Sequence, residues 1–241
     1  MLPAIHIFLV NYIGGEMMTE IHTLCIVAHP AIEESGSQQF LIQTGKSITH
    51  TEYIDLAKLD SSKAKIDFSK YHQIIFQFPL YWYQAPAILK KWIDENWHLY
   101  SKAELAGKTM GVVVIVGQKA QRYQLGGTEG RSISELLVSF ELIAKYSQMR
   151  FKPIFPIYQF HYLTEKQKVK LLWRYGYYLE HLDAGDFMSM QRYILNRAHQ
   201  LTESELSFTS DAQKMQWEMF LQKLEHSAYA IEEIVDLKKE W

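Results

Sequence analysis

The chain has 241 residues, 48% of them apolar, and a formal net charge of −2. That length suits one large domain or a domain with an appendage, and the apolar share is enough for a sizeable core. The near-neutral charge offers no electrostatic footprint for nucleic acid or an anionic membrane. The single cysteine, Cys25, excludes an internal disulfide and a cysteine-rich metal site, and no metal is expected. Cys25 lies in an apolar run and reads as an inert buried thiol, with a reducing, cytoplasmic setting as the default.

Residues 1–20 read as an N-terminal extension. Ile5, Ile7, Phe8, Leu9 and Val10 have no Lys or Arg before them, which does not fit a secretory signal. The run is also far short of the roughly twenty apolar residues of a membrane span. Gly14-Gly15-Glu16 ahead of Met17-Met18 is what a translated ribosome-binding site would spell, so natural synthesis is expected to start at Met17 or Met18. A short apolar arm on the domain is the alternative.

From Ile21 onward strand and helix signals alternate. Thr23–Ala28 reads as a short buried strand, followed by a turn and a weak helix from about Ser37 to Lys46. Thr49–Asp55, Tyr71–Phe78 and Thr109–Val116 are the next strands. Arg131–Tyr146 is expected to be helical, with Ile133, Leu136, Leu137, Phe140, Ile143 and Ala144 on one face. Lys152–Ile157, interrupted by prolines, fits an edge strand. Apolar strands alternating with helices predict a parallel sheet covered on both faces, here a five-stranded doubly wound α/β domain of flavodoxin-like type. Glu165–Leu182 reads as its last helix. Residues 183–241 form a helical extension, with amphipathic helices at Phe187–Leu201 and Asp211–Lys239 joined by the Ser/Thr-rich Thr202–Ser210. Such faces pack on the core or on a second subunit, and a homodimer is preferred over a cap.

The central stretch is Phe76–Trp97. A buried strand reaches Pro79, an aromatic loop carries Leu80, Tyr81, Trp82, Tyr83, Gln84 and Ala85, and a helix starts near Pro86, which suits its first turn. In an open α/β sheet a loop at a strand's carboxyl end is where ligands bind. Three consecutive aromatics between two prolines cannot all face one core, although core aromatics remain the alternative. The first strand runs through His29 and Pro30 to Ser35, Ser37 and Gln38, where hydroxyls and helix N-terminal N–H groups could hold a phosphate. Ser35 could equally be a plain helix cap. Gly45-Lys46-Ser47 has Phe40 where a P-loop needs glycine. Gly126-Gly127-Thr128-Glu129-Gly130 lacks the dinucleotide-binding spacing and does not open directly after a strand.

His29-Pro30 with Ser35, then F-P-L-Y-W-Y-Q-A-P-A-I-L-K-K-W-I-D, then R-Y-Q-L-G-G after the fourth strand, together resemble the NAD(P)H:quinone oxidoreductase family of flavodoxin-like flavoproteins. That family includes quinone reductases, bacterial modulators of drug activity and ancillary oxidoreductases of potassium-efflux systems. The resemblance runs from about Ile21 to Leu182. It implies a flavin, FMN or FAD, with His29, Ser35, Ser37 and Gln38 on the phosphate side and Pro79, Leu80, Tyr81 and Trp82 lining the ring. It further implies that Gly117 allows close approach, that Tyr123 is the catalytic residue facing the substrate, and that NAD(P)H donates hydride to a quinone-like acceptor by a ping-pong mechanism.

The chain departs from the family at several points. Gln38 stands where Asn is usual, and Ile115-Val116-Gly117-Gln118 replaces a Thr-Thr-Gly-Gly-type stretch, bringing the bulkier Gln118 and Lys119. Glu129 occupies the position of a relay histidine six residues after the tyrosine. His29 and His161 are the nearby imidazoles, each more often packed or solvated than catalytic. The competing functions are a regulatory ancillary subunit docking on a membrane transporter and a flavin-free binding protein of the same fold.

Overall fold

The computed structural model describes residues 21–46, 51–59, 65–183, 185–200 and 210–239. The expectations for residues 1–20, for the start of the second strand and for 201–209 lie outside them. Packing divides the chain into two compact units, with the boundary between His161 and Tyr162.

The first unit is an α/β sandwich. Its strands are β1 (Thr23–Val27), β2 (Thr51–Asp55), β3 (Gln73–Pro79), β4 (Thr109–Val116), β5 (Arg150–Phe151) and β6 (Phe155–Tyr158). All pair in parallel in the order β2-β1-β3-β4-β5, with β6 also on β4. This is the flavodoxin-like order, and five positions are filled as expected. The fifth strand is two pieces because Pro153 lies between them. Its edge position suits Pro156 within β6, since among the described residues β6 pairs with β4 alone.

The helices are α1 (Gly36–Lys46), α2 (Ala87–Asn96), α3 (Lys102–Leu105), α4 (Ile133–Leu136) and α5 (Val138–Tyr146). Pro86 sits at the N-cap of α2, one position earlier than a first-turn proline. The single helix expected over 131–146 is divided. Ser132 opens α4 with a capping box, its hydroxyl accepting from the Glu135 N–H while Glu135 accepts from the Ser132 N–H. Leu137 then takes φ −108°, ψ 20°, outside the helical well, with its side chain fully buried, and α5 restarts from it.

The two sheet faces differ. One presents Leu24, Ile26, Ile74, Phe76, Phe78, Met110, Val112 and Val114, all buried, to α2 and α5. Phe76 lies at its centre, with ring centroids 6.3 Å from Trp92, 5.9 Å from Trp97 and 5.7 Å from Phe140. The other face carries buried polar groups. Gln73 donates to Thr23 at 2.7 Å, Gln77 donates to the Gln38 side-chain oxygen at 2.6 Å, and the Cys25 thiol donates to Gln77 at 3.6 Å. Cys25 is thus buried in a polar chain, in keeping with an inert thiol.

The second unit contains α6 (Glu165–Glu180), α7 (Phe187–Gln200) and α8 (Asp211–Lys239). Thr164 and Gln167 form a capping box for α6. Gln191 donates to Ser227 and His199 meets Glu225, so α7 lies along α8. Tyr193 on α7 is buried, its ring edge-on to the stacked pair Tyr177 and His181, whereas Phe187 is exposed. Among the described residues no helix is long and apolar enough to cross a membrane.

Phe76→Ala removes the centre of the aromatic cluster and should cost about 3–5 kcal/mol of unfolding free energy, measured by urea denaturation.

Candidate functional site

β1, β3 and β4 are adjacent and parallel, so their carboxyl ends open side by side. Val27 is level with Gln77, and Pro79 with Ile115. The strand order reverses between β1 and β3, which makes this edge the expected ligand-binding crevice of the fold.

After β1 the chain turns through His29, whose Nδ1 accepts from the Ala31 N–H at 3.0 Å. That imidazole nitrogen is therefore used in folding the loop. Ser35 is the cap of α1. Its Oγ accepts from the Gln38 N–H at 3.4 Å and lies 3.2 Å from the Ser37 Oγ. The cap and the anion-site readings of Ser35 are compatible, because the first-turn N–H groups of α1 have no acceptor within the helix. Gln38 is fully buried with its Oε1 taken by Gln77, and its Nε2 has no partner among the described residues. His161 lies beside the same helix start, its ring carbon 3.8 Å from where a Cβ on Gly36 would stand.

The loop after β3 is a tight hairpin. Tyr81 and Gln84 exchange backbone hydrogen bonds of 2.9 and 3.0 Å. The two central residues, Trp82 at φ 47° and Tyr83 at φ 66°, both lie in the left-handed region. This is the pattern of a type I′ turn, which normally takes Asn or Gly. Holding two aromatic residues there costs roughly 1–3 kcal/mol each. None of the three aromatics is core: Trp82 is 92% exposed, and Tyr81 and Tyr83 are about half as exposed. Leu80 anchors the base of the hairpin, its N–H donating to the Ile115 carbonyl at 2.9 Å.

After β4 the chain bends at Gly117, where an added Cβ would meet nothing within 4 Å, and Gln118 and Lys119 are exposed beside it. Tyr123 is half-buried on the core edge, its ring centroid 6.2 Å from that of Tyr158 at the end of β6. Burial raises the Tyr123 phenol above its ordinary pKa, and the Glu129 charge adds to the shift. Burial and the neighbouring Tyr123 do the same for Tyr158.

Glu129 joins the two loops. Its Oε1 receives Nε and Nη2 of Arg122 at 2.9 and 2.6 Å, and its Oε2 receives the Tyr83 hydroxyl at 2.8 Å. The Arg122 bonds, then the Tyr83 bond, hold this carboxyl below the usual range, and the carboxylate in turn raises the Tyr83 phenol. Sequence reasoning noted Glu129 only as a departure from a family pattern and missed Arg122, Tyr83 as its partner, and Tyr158. The i, i+7 Arg122/Glu129 pairing in a glycine-containing loop is the one signal that pointed there.

The family model described as flavodoxin-like fold matches residues 21–175. The chain belongs to this family. Within it, the Bacillus subtilis protein YrkL, named an uncharacterised NAD(P)H oxidoreductase, is 34% identical over 160 residues. That alignment spans 61% of this chain and 91% of YrkL. The ancillary protein KefG of a glutathione-regulated potassium-efflux system from Cronobacter sakazakii is 28% identical over 149 residues, 56% of this chain and 79% of KefG. A solved structure named NADPH-quinone reductase, from P. pentosaceus, superposes with a TM-score of 0.61 at 31% identity. It covers 67% of this chain and 99% of that one. YrkL and the P. pentosaceus protein carry oxidoreductase or reductase names, and KefG that of an ancillary protein.

The loop around Glu129 depends on Gly127, where a Cβ would fall 2.4 Å from the Gln121 carbonyl oxygen and 2.5 Å from that of Arg122. Gly127→Ala should strain this loop by roughly 1–3 kcal/mol. The expected result is faster tryptic cleavage after Lys119 and Arg122 with little change in the melting temperature of the core.

Proposed function

We propose that the chain is a flavin-dependent NAD(P)H oxidoreductase that reduces a quinone or a similar electrophile, with its site at the carboxyl edge of β1, β3 and β4. The observation that carries the reading is the convergence there of a helix N-terminus, an uncovered aromatic hairpin and a half-buried tyrosine, on a chain whose relatives are named NAD(P)H oxidoreductases. In this reading residues 21–182 form the flavin-binding domain and 183–241 a helical extension.

The residues present fit a flavin, FMN or FAD. The first-turn N–H groups of α1 with Ser35 and Ser37 suit a phosphate. Gln38 Nε2 is a buried donor without a described partner, and the space beside Gly117 is open. Pro79, Leu80, Tyr81 and Trp82 offer an aromatic and apolar wall. Bound there, a flavin supplies two-electron hydride chemistry. The protein's own part is to hold it by its phosphate, to keep water from its ring, and to receive NAD(P)H and the acceptor in turn at one face, which is the arrangement of a ping-pong mechanism.

Tyr123 is assigned the catalytic role. Its phenol is protonated at neutral pH, and burial shifts it further from ionisation, so it can donate a hydrogen bond to the oxyanion that develops on the acceptor. His29 is assigned to shaping the phosphate loop through its bond from Ala31. A homodimer built with the helical extension is part of the proposal. A cytoplasmic setting agrees with the absence, among the described residues, of a spanning helix.

A second reading is favoured by the likeness to KefG: an ancillary subunit that docks on a membrane transporter. Co-purification with a transporter from native membranes, without quinone turnover, would select it. The enzyme reading predicts that Tyr123→Phe lowers kcat/KM for a quinone by roughly 10²-fold or more while flavin content stays at the wild-type level. Unchanged kinetics would remove Tyr123 from the reaction.

A further inference from the structure

We propose that Glu129 is a positioning residue, a fixed anion that ties the Trp82–Tyr83 turn to the loop after β4, and not a carrier of protons. The inference rests on the oxidoreductase reading for its kinetic consequences and on the geometry alone for its structural ones.

Both carboxylate oxygens are committed. Oε1 takes a two-pronged bond from Arg122, and Oε2 takes the Tyr83 hydroxyl. The side chain is only 11% exposed. The charged and titratable groups facing it are Arg122, Tyr83 and Tyr123. Bonding to Arg122 and Tyr83 favours the ionised form, so at neutral pH the group has no proton to give. A proton donor in catalysis needs a pKa near the working pH instead.

The turn has a reason to need such a tie. Trp82 and Tyr83 are held in a backbone region that aromatic residues rarely adopt, and the tip of the hairpin is open to solvent. Two backbone bonds close the turn, Gln84 Nε2 donates to the Leu136 carbonyl at 3.4 Å from its base, and the Tyr83–Glu129 bond fixes its tip to the loop after β4. Because the Tyr83 hydroxyl is used in this way, it is not available to an acceptor. Tyr123, whose hydroxyl is not committed to any described residue, is left for that task. A chain with glutamate at this position therefore separates the two jobs: Glu129 sets the wall, and Tyr123 meets the substrate.

Three versions of the whole protein test the assignment: wild type, Glu129→Gln, which keeps an oxygen acceptor but loses the charge, and Glu129→Ala, which loses both. The first readout is backbone hydrogen exchange at Tyr81 and Gln84, followed by mass spectrometry, and it needs no flavin. Glu129→Ala should speed exchange over 81–84 by about tenfold while β3 and α2 stay protected. The second is the pH profile of kcat/KM for a quinone with NADPH as donor. Glu129→Ala should lower it about tenfold. Glu129→Gln should lose less, and all three profiles should keep the same shape between pH 6 and 8.

Unchanged exchange in Glu129→Ala would overturn the tie. A profile limb between pH 6 and 8 that is present in wild type and gone in Glu129→Gln would make Glu129 a proton carrier and overturn the assignment. Protein that binds no flavin and turns over no quinone would defeat the oxidoreductase reading, and the exchange measurement would still decide whether Glu129 holds the turn.

Discussion

The placement of the candidate site depends on β3 being paired in parallel on both sides, with β1 and with β4. Parallel pairing sends three consecutive carboxyl ends to one edge of the sheet, so residues from 28, 79 and 117 onward meet although they lie far apart in sequence. β3 holds this central position because Ile74, Phe76 and Phe78 are fully buried on one face while Gln73 and Gln77 satisfy polar partners on the other. Burying an aromatic ring contributes far more than a net hydrogen bond, so the apolar face sets the stability and the polar face sets the register. The loops then follow from where the strands stop.

At that edge the chain combines rigid and strained parts. Tyr123 rests on the core, where burial disfavours the phenolate further. The hairpin has no such support at its tip. Its two left-handed aromatic residues are kept in place by backbone bonds and by an anion borrowed from the neighbouring loop. Strain held by outside contacts is typical of sites that must present side chains to a ligand rather than bury them. The same anion raises the pKa of both Tyr83 and Tyr123, so one carboxylate influences both walls.

Much of the fold was legible in the sequence because its determinants are local. Thr109–Val116 reads as a buried strand and is one, and the prolines at 153 and 156 mark an edge that the sheet bears out. The division of the 131–146 helix at Leu137 was not legible, since the apolar spacing continues through the break and only the burial of Leu137 distinguishes it. In the site, three aromatics between two prolines showed that Tyr81, Trp82 and Tyr83 could not all face one core, but not that all three are exposed. The Tyr83–Glu129 bond did not, because it joins residues 46 positions apart and depends on how two loops fold. Tyr158 escaped for the same reason: it looks like any edge-strand aromatic until β6 is laid beside β4.

The central claim is that this edge holds a redox-active flavin. Its most direct test is an anaerobic titration of the purified protein followed by visible absorbance. The account predicts a yellow protein whose absorbance is bleached by NADPH or NADH and restored by a quinone. Colourless protein that takes up neither FMN nor FAD, or yellow protein that neither nicotinamide bleaches, would contradict it.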